Sequence, residues 1–464
     1  MDIRLTFLGA ARNVTGSKYL LEANGRKFLI DYGLYQEHDL KDRNWEPSFV
    51  PPNEIEAVFL THAHLDHCGL LPRLVNEGYK GNIYGTQATL DLAKIVIADC
   101  AKINEEDAAF KYNRHIREGR IGPHPVVPLY TLKEAQNVFG LLTPCADGRK
   151  LGLGGGISVE FIEAGHILGA SSVKFTIESE NEKRTIVFSG DVGRWDMPII
   201  RDPYPIGDAD YIVCESTYGN RVHGPQSAIP EELANVINGT VMAGGNLIIP
   251  SFAIERTQDL IYYLAQLLKA DKIPHLRIFV DSPMAVKVTD VFRTHQNLFD
   301  AETLKMAKSI RLPGLTLVRT PSDSKSINHI NGTAIIIAGS GMCTGGRIKH
   351  HLVANLPRKE STVLFVGFQA VGTLGREIVS GAKKVRVLGQ EYPVRARIER
   401  ISGFSAHADQ NELLRWLRTS PTKPRKVFVT HGEPDAADAF AALVGSELGW
   451  NAAVPEYKDT VRLD

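Results

Sequence analysis

Three histidines and one aspartate within six residues form the part of this chain best suited to chemistry. They are His62, His64, Asp66 and His67, and they follow the apolar stretch 57–60. Alternate residues of an extended strand point to the same side, so His62 and His64 can hold one metal ion while Asp66 and His67 turn toward a second. Imidazole and carboxylate ligands suit catalytic zinc, whereas a closed structural zinc site usually carries several cysteines. The pattern predicts a binuclear metal site.

More residues of ligand type follow other strand-like stretches. His166 comes after the stretch 157–162, Asp191 after 185–188 and His431 after 426–430. A single histidine at a strand end is more often a hydrogen-bonded structural residue. The repeated order of strand and then ligand is harder to explain by separate structural roles, so we expect these side chains to complete the metal site.

The order of these residues resembles that of the metallo-β-lactamase superfamily. Asp31, after the apolar stretch 28–30, matches the first motif of that superfamily. Glu215, His407 and His431 match three motifs of the β-CASP nucleases, and the resemblance extends over nearly the whole chain. Within the β-CASP proteins, a glutamate and a histidine at positions 215 and 431 are features of the RNA-cutting branch, whereas the DNA-repair branch carries an aspartate and a valine.

The resemblance implies a ligand set for two Zn²⁺ per chain. One ion would be held by the first group of ligands, His62, His64 and His166, and the other by the second group, Asp66, His67 and His431. Asp191 would bridge them. Two metal ions about 3.5–4 Å apart can activate a water molecule and bind both the attacking and the leaving oxygen of a phosphodiester.

The resemblance also implies catalytic residues beside the ligands. His407 would be the general acid that protonates the leaving ribose oxygen, and Glu215 would orient it through a hydrogen bond. Asp31 would act behind a ligand rather than as one. Loss of such a partner typically lowers metal affinity or activity about 10–100-fold.

The function implied is that of a zinc-dependent ribonuclease that cuts single-stranded RNA and leaves a 5′-phosphate and a 3′-hydroxyl. We expect internal cleavage, with 5′-to-3′ exonucleolytic cleavage as a further mode. A DNA nuclease of the same fold and a small-molecule metallo-hydrolase remain alternatives. A catalytically silent RNA-binding scaffold is disfavoured because every ligand position is filled.

The resemblance implies an α/β fold in which an αββα metallo-β-lactamase sandwich contains an inserted parallel-sheet β-CASP domain. A length of 464 residues agrees with two domains. We place the first part of the metallo-β-lactamase domain at residues 1–210, the β-CASP domain at 211–398, and the return of the first domain, with His407 and His431, at 399–464. A helix is expected around 90–109.

The region after residue 211 alternates strands and helices, which is typical of a parallel α/β sheet. The predicted strands share continuous apolar runs and cover 246–250, 276–280, 333–338 and 362–366. The predicted helices cover 255–268, 346–356 and 371–379.

A glycine-rich loop at 339–346 follows one of these strands and precedes a helix, which is a geometry that binds anions. Its glycine spacing does not match a dinucleotide-binding motif, so we expect an RNA phosphate as its ligand. The residues predicted to bind substrate are Ser340, Gly341, Thr344, Gly345 and Arg347. His350 and His351 either assist or serve packing.

The amino-acid composition says less about binding partners than the motifs do. The net charge is zero, so phosphate binding must rest on local basic patches, of which 376–400 is either an RNA-binding groove or a solvated surface. Five scattered cysteines are read as small buried side chains of a reducing compartment. No leader or membrane span is expected, so the predicted location is cytoplasmic, and relatives make a homodimer an option.

Overall fold

The computed structural model describes residues 1–119, 126–307, 312–330, 332–367, 369 and 372–464. The chain divides into two compact units. Unit 1 comprises Met1–Trp195, Asp202–Val222 and His407–Asp464, and unit 2 comprises Asp196–Arg201 and His223–Ala406.

The first sheet of unit 1 has seven strands among the described residues, and its order is β22-β1-β2-β3-β4-β5-β6. Antiparallel pairing from β22 to β3 gives way to parallel pairing from β3 to β6. The strands are β1 Ile3–Phe7, β2 Tyr19–Ala23, β3 Arg26–Ile30, β4 Ile55–Phe59, β5 Asn82–Thr86, β6 Leu142–Cys145 and β22 Thr460–Arg462.

The second sheet of unit 1 also has seven described strands, in the order β21-β20-β11-β10-β9-β8-β7. Pairing is antiparallel from β7 to β10 and parallel from β10 to β21. The strands are β7 Leu151–Gly154, β8 Ile157–Glu163, β9 Ser171–Glu178, β10 Lys183–Phe188, β11 Tyr211–Glu215, β20 Lys426–Thr430 and β21 Ala452–Ala453.

The two sheets share one hydrophobic core. Phe28 and Phe59 of the first sheet pack against Phe175 of the second, with ring centroids 5.8 and 5.1 Å away. The outer face of the second sheet packs on Leu413 and Phe440, which belong to two helices. Helices therefore cover a pair of sheets, which is the expected αββα sandwich.

Unit 2 contains a six-stranded parallel sheet in its described residues, in the order β14-β13-β15-β12-β16-β19. Its strands are β12 Leu247–Pro250, β13 Arg277–Asp281, β14 Leu315–Leu317, β15 Ala334–Ala338, β16 Thr362–Phe365 and β19 Arg397–Arg400. A hairpin, β17 Lys384–Val387 with β18 Gln390–Pro393, lies outside this sheet. The central strands are buried along their whole length, which agrees with the continuous apolar runs in the sequence.

The α-helices connect the strands. In unit 1 they are α1 Leu65–Cys68, α2 Leu71–Asn76, α3 Gln87–Glu118, α4 Leu132–Asn137, α12 Gln410–Leu417 and α13 Pro434–Leu448. In unit 2 they are α5 Ile229–Ala243, α6 Arg256–Lys269, α7 Pro283–Thr294, α8 Ala301–Ala307, α9 Pro321–Ser326, α10 Ile348–Asn355 and α11 Leu374–Val379. Short 3₁₀ helices occur at His38–Trp45, Pro52–Glu54, Val138–Leu141, Gln226–Ala228, Gln296–Leu298, Ile327–His329 and Ser402–Phe404.

The unit boundaries differ from those expected. The sequence places the start of the insertion at residue 211, but Tyr211–Glu215 pairs with β10 and β20 inside unit 1, and that unit continues to Val222. The return to unit 1 begins at His407 rather than at 399, because 397–400 pairs with β16. Strand-like residues do not reveal which sheet a strand joins.

Other differences are local. The helix expected around 90–109 is longer at both ends. The helix expected at 371–379 begins at Leu374, and Val371 lies outside the described residues. All five cysteines are free thiols, and four of them are buried. None of the helices in the described parts of the chain is long and apolar enough to cross a membrane.

Candidate metal centre and active site

The predicted ligands lie where strands of unit 1 end. Asp31 follows β3, and the segment 61–67 follows β4 and enters α1. In the second sheet, the residues just beyond strand ends are His166 after β8, Asp191 after β10 and His431 after β20. Loops at the carboxyl ends of strands in one sandwich can bring together residues that are far apart in sequence.

The first cluster consists of His62, His64, His166 and Asp191, whose potential ligand atoms all lie within 4.8 Å of one another. His62 Nε2 is 3.1 Å from His64 Nδ1, and His166 Nε2 is 3.3 Å from that same nitrogen. The three imidazoles thus direct one nitrogen each to a common point.

The second cluster consists of Asp66, His67 and His431, again with potential ligand atoms within 4.8 Å of one another. His67 Nε2 lies 3.0 Å from His431 Nε2. Asp66 Oδ2 is 3.5 Å from that same His431 nitrogen. This arrangement has the donor types of a second zinc site.

Asp191 lies between the clusters and faces both. Its Oδ2 is 3.4 Å from His62 Nε2 and 3.5 Å from His166 Nε2. Its Oδ1 is 3.3 Å from His67 Nε2 and 3.5 Å from His431 Nε2. Oδ1 is buried and makes no hydrogen bond within the described structure. A buried carboxylate oxygen of this kind requires a cation.

The hydrogen bonds behind the second cluster determine which ring nitrogens carry protons. Thr217 Oγ1 donates to the carbonyl oxygen of His431 (3.1 Å), so it accepts from His431 Nδ1 (3.1 Å). His67 Nδ1 donates to Asp31 Oδ2 at 2.7 Å. In neutral imidazoles both Nε2 atoms then carry lone pairs that face each other at 3.0 Å. The donor set therefore fits a metal ion, and a proton would compete for the same position.

The same reasoning applies to the first cluster through Thr61. Thr61 Oγ1 donates to Asp31 Oδ2 at 2.8 Å and so accepts from His62 Nδ1 at 3.1 Å. The backbone N–H of Thr61 donates to Asp31 Oδ1 at 2.8 Å. Asp31 thus orients one imidazole of each cluster, directly for His67 and through Thr61 for His62.

The two clusters hold protons differently. Burial and the charge of His67 lower the pKa of His62 to about 3, and burial lowers the pKa of His64 to about 4. Burial opposes the charged form of His67, but the carboxylates of Asp191 and Asp31 outweigh it and raise its pKa well above the ordinary value. Burial acts against His431 as well, and Asp191 and Asp66 raise its pKa.

Glu215 and His407 form a pair beside the clusters. His407 Nδ1 donates to Glu215 Oε1 at 3.2 Å. Glu215 is buried and also accepts the backbone N–H groups of Val192 at 2.7 Å and Thr217 at 3.2 Å. Burial disfavours the charged imidazole, but Glu215 and Asp191 raise the pKa of His407 to about 9. At neutral pH this side chain carries a proton that it can donate.

The backbone around His407 is tied to the loop that carries Asp191. His407 forms an antiparallel bridge with Gly193, and the N–H of Ala408 donates to the carbonyl of Val192 at 2.8 Å. Asp409 then caps α12 in a capping box with Glu412. These contacts hold the imidazole next to the clusters in a defined orientation.

All ten predicted metal and catalytic residues come together in unit 1. The sequence reasoning assigned no role to Thr61 or Thr217, which orient His62 and His431. Thr61 directly precedes His62, and Thr217 follows Glu215 by two residues. Their positions beside His62 and Glu215 are the signal that the sequence offers.

The predicted substrate-binding residues lie in unit 2 and largely bind one another. Gly345 N donates to Ser340 Oγ at 3.2 Å, and Ser340 Oγ lies 3.2 Å from Thr344 Oγ1. A Cβ on Gly341 would come within 2.6 Å of the Phe252 ring, so this position needs a glycine.

The cation expected in that loop is already paired. Arg347 Nη1 donates to Asp281 Oδ1 at 2.6 Å, and its Nη2 donates to the carbonyl of Arg319 at 3.0 Å. His351 is buried and Nε2 lies 2.7 Å from Asp281 Oδ2, so it serves packing. An RNA phosphate at this loop would have to be bound by hydroxyl and N–H groups rather than by a free guanidinium.

The basic stretch 376–400 is partly structural. Arg397 Nη2 donates to Thr240 Oγ1 and to Thr362 Oγ1, at 3.2 and 3.1 Å. Lys384 and Arg386 are exposed on the hairpin β17–β18. Only some of the basic residues in this stretch are therefore exposed and able to bind a polyanion.

Models of three families match the sequence. Residues 12–217 match the "Metallo-beta-lactamase superfamily", residues 257–378 match the "Beta-Casp domain", and residues 391–455 match the "Zn-dependent metallo-hydrolase RNA specificity domain". The matches follow one another along the chain in the order that the sequence resemblance implies.

Relatives match over almost the whole chain. "Ribonuclease TTHA0252" of Thermus thermophilus is 37% identical over 453 residues, which cover 96% of this chain and 97% of that protein. "Transcription termination factor FttA" of Methanosarcina mazei is 29% identical and is matched over 99% of this chain and 72% of its own length. A crystal structure of a protein of unknown function from Enterococcus faecalis V583 has the same fold, with a TM-score of 0.54, 12% identity and full coverage of both chains.

Proposed function

The chain belongs to the β-CASP branch of the metallo-β-lactamase superfamily and is a metal-dependent ribonuclease, and we propose that it hydrolyses single-stranded RNA with two zinc ions. The proposed products carry a 5′-phosphate and a 3′-hydroxyl. The proposed mode of cutting is internal, with 5′-to-3′ exonucleolytic cleavage as an additional mode.

One observation carries this proposal. The two oxygens of Asp191 face separate imidazole clusters, and the oxygen toward His67 and His431 is buried without a hydrogen bond. A bridging carboxylate between two sets of imidazoles suits a pair of divalent cations. The metal ligands proposed are His62, His64 and His166 for one ion, Asp66, His67 and His431 for the other, and Asp191 for both.

The metal ions, when bound, supply Lewis acidity and lower the pKa of water so that it can attack a phosphodiester. The chain prepares the ligands for them. Asp31 and Thr61 direct bare Nε2 atoms of His67 and His62 into the clusters, and Thr217 does the same for His431. Asp31 is thus a positioning residue.

His407 is the proposed general acid. Its Nδ1–H is bound by Glu215, so its Nε2–H remains to protonate the leaving 3′-oxygen. The raised pKa of His407 agrees with an acid that is protonated at neutral pH. This pair can supply the proton that a ribose alkoxide, a poor leaving group, needs in order to depart.

The loop at 339–346 is proposed to bind a phosphate of the RNA through Ser340, Thr344 and backbone N–H groups. Gly341 and Gly345 allow close approach of the backbone. Arg347 would contribute to the local potential while it stays paired with Asp281. This part of the proposal rests on the predicted anion-binding geometry and on the hydroxyl groups that gather there.

The test is cleavage of RNA and DNA strands of one sequence, labelled at either end, by the zinc-loaded protein. We expect cleavage of RNA alone, fragments from internal positions, and 5′-phosphates on the products. His407→Ala should lower kcat by about 10²–10⁴-fold with both zinc ions retained. Asp191→Ala should remove both activity and zinc.

His275→Ala is the matched control, since this histidine is exposed in unit 2 and lies outside the clusters. Cutting of the DNA strand but not of the RNA strand would assign the site to a DNA nuclease. Full zinc loading without cleavage of either strand would reject the nuclease proposal, and small esters would then be the substrates to examine.

A further inference from the structure

The second half of α3 exposes large apolar side chains. The buried residues of this helix end at Ala101, and the helix continues to Glu118. Beyond Ala101, four large hydrophobic side chains are about half exposed or more: Ile103 (49%), Phe110 (64%), Tyr112 (55%) and Ile116 (62%). Large apolar side chains that form a contiguous exposed patch are typical of a surface that binds a partner.

Two of these side chains define one face. Ile103 and Phe110 are seven residues apart, so they point in directions about 20° apart around the helix axis. The charged residues next to them are segregated, with Glu106 and Asp107 one turn before Phe110 and Arg114 one turn after it. We call this surface, formed by Ile103, Glu106, Asp107, Phe110 and Arg114, the Phe110 face.

We propose that the Phe110 face binds the same face of a second copy of this chain, with the two helices antiparallel and a twofold axis at Phe110. In this arrangement the two Phe110 rings meet at the axis. Asp107 of each copy then lies opposite Arg114 of the other, because the two residues lie at similar distances on either side of Phe110. A twofold interface must be complementary to itself, and this face has that property.

The charge pattern is not explained by the helix itself. Acidic residues favour the first turn of a helix through its dipole, but Glu106 and Asp107 lie in the second half of α3. Neither they nor Arg114 form an ion pair with any part of the chain that the structure describes, and all three are exposed. They are therefore available to a partner.

Tyr112 and Ile116 point to the opposite side of the helix and take no part in this contact. Tyr112 is two residues from Phe110, which is about half a helical turn. This difference in direction provides an internal control. A contact through the Phe110 face must respond to changes at Phe110 and not to equivalent changes at Tyr112.

The oligomeric state of the full chain is the first readout, measured by analytical ultracentrifugation over a range of concentrations. We expect a reversible dimer, and Phe110→Asp should raise its dissociation constant about 30-fold or more, as loss of a central apolar residue does. Met242→Asp is the matched control, because Met242 is 89% exposed on α5 and should leave the dimer unchanged.

A charge exchange tests the pairing across the axis. Asp107→Arg alone and Arg114→Asp alone each place like charges opposite one another, and both should weaken the dimer. The double variant restores opposite charges and should recover most of the affinity. A dimer that uses another surface would not show this recovery.

Cross-linking tests the antiparallel register. Phe110→Cys places a thiol from each copy at the axis, and mild oxidation should join the two chains by a disulfide, whereas Tyr112→Cys should not. The wild-type protein controls for its five native cysteines, of which four are buried. A wild-type chain that stays monomeric, or a dimer indifferent to Phe110→Asp, overturns the proposal. If Phe110→Asp instead weakens RNA binding by a monomer, the face belongs to RNA.

Discussion

The histidines of the two clusters differ in the charge that surrounds them. His62 and His64 lose their protons easily, with pKa values of about 3 and 4 because of burial. His67 lies between Asp31 and Asp191, whose carboxylates raise its pKa in spite of burial. A ligand nitrogen must be neutral to bind a metal ion, so the first cluster is ready at neutral pH and the second must first release protons.

Zinc uptake should therefore release protons unequally. We expect the first equivalent of zinc to bind the metal-depleted protein at His62, His64 and His166 with little proton release at pH 7. The second should release protons from His67 and His431, so its affinity should fall as the pH is lowered from 8 to 6. Calorimetric titration in two buffers of different ionisation enthalpy measures both quantities.

A variant at Asp31 tests whether its carboxylate causes the proton release at the second zinc site. Asp31→Asn removes one carboxylate from His67, which lowers the pKa of that imidazole and should reduce proton release at the second site. It also weakens the positioning of the ring, so zinc affinity should fall by about 10–100-fold. Equal proton release for both equivalents in the wild-type protein would contradict this assignment.

Glu215→Gln should change the pH profile of cleavage. The negative charge of Glu215 raises the pKa of His407 to about 9, so without it the imidazole loses its proton at lower pH. The alkaline limb of kcat should move toward neutral pH, and kcat should fall while zinc content stays constant. The limb is read from kcat between pH 6 and 10, and an unmoved limb would show that His407 is not the titrating acid.

Thr217→Val tests the orientation of His431. Valine has nearly the same shape but offers no acceptor for His431 Nδ1–H, which is 3.1 Å from Thr217 Oγ1. Zinc affinity at the second site should fall by about 10–100-fold. Because the backbone N–H of residue 217 still donates to Glu215, the alkaline limb of the pH profile should stay in place. Competition with a fluorescent zinc chelator gives the affinity.

At this scale the sequence predicts residues that the structure brings together, because each candidate ligand lies near an apolar strand or a glycine. It did not predict that Arg347 would be neutralised by Asp281, since the two are 66 residues apart. Such pairs depend on which strands become neighbours. The same limit applies to Asp31, whose role is defined by its contacts with His67 and Thr61 in the folded chain.

Among the elements, α12 has a direct link to the site. Its first turn is capped by Asp409, two residues after His407, and Asp409 Oδ1 accepts the N–H groups of Asn411 and Glu412. Asp409→Ala removes this cap and should lower the free energy of unfolding of unit 1 by about 1 kcal/mol. Denaturant unfolding followed by tryptophan fluorescence measures the change, with Asp409→Asn, which keeps the cap, as the control.

Strands and helices are predicted correctly where the spacing of apolar residues matches the repeat of the element that forms. The strands β12, β13, β15 and β16 lie within one residue of their predicted bounds because buried parallel strands have continuous apolar runs. β11 has the same continuous apolar sequence as the strands of unit 2. That sequence does not indicate that β11 belongs to a sheet of unit 1. The second half of α3 has no buried face, so the apolar period that marks a helix ends before the helix does.

On the scale of the whole molecule, every proposed metal ligand belongs to unit 1, although the ligands span residues 62 to 431. A metal ion that binds only the folded site stabilises the unit that contains it. Zinc should therefore raise the melting temperature of unit 1, and hydrogen exchange should slow in its strands, whereas the strands of unit 2 should keep their exchange rates. Equal slowing of hydrogen exchange in the strands of unit 1 and unit 2 would contradict the assignment of both metal sites to unit 1.

The long gap in sequence between the ligands also orders events during protein synthesis. β20, which carries His431, pairs with β11 only after the whole of unit 2 has been translated. Until then the nascent chain contains His62 and Asp191 but lacks His407 and His431. A growing chain stays on the ribosome, and the ribosome is bound to the messenger RNA. With this order of residues, a nuclease directed at RNA has no complete active site until residue 431 has been synthesised, which comes after the whole of unit 2.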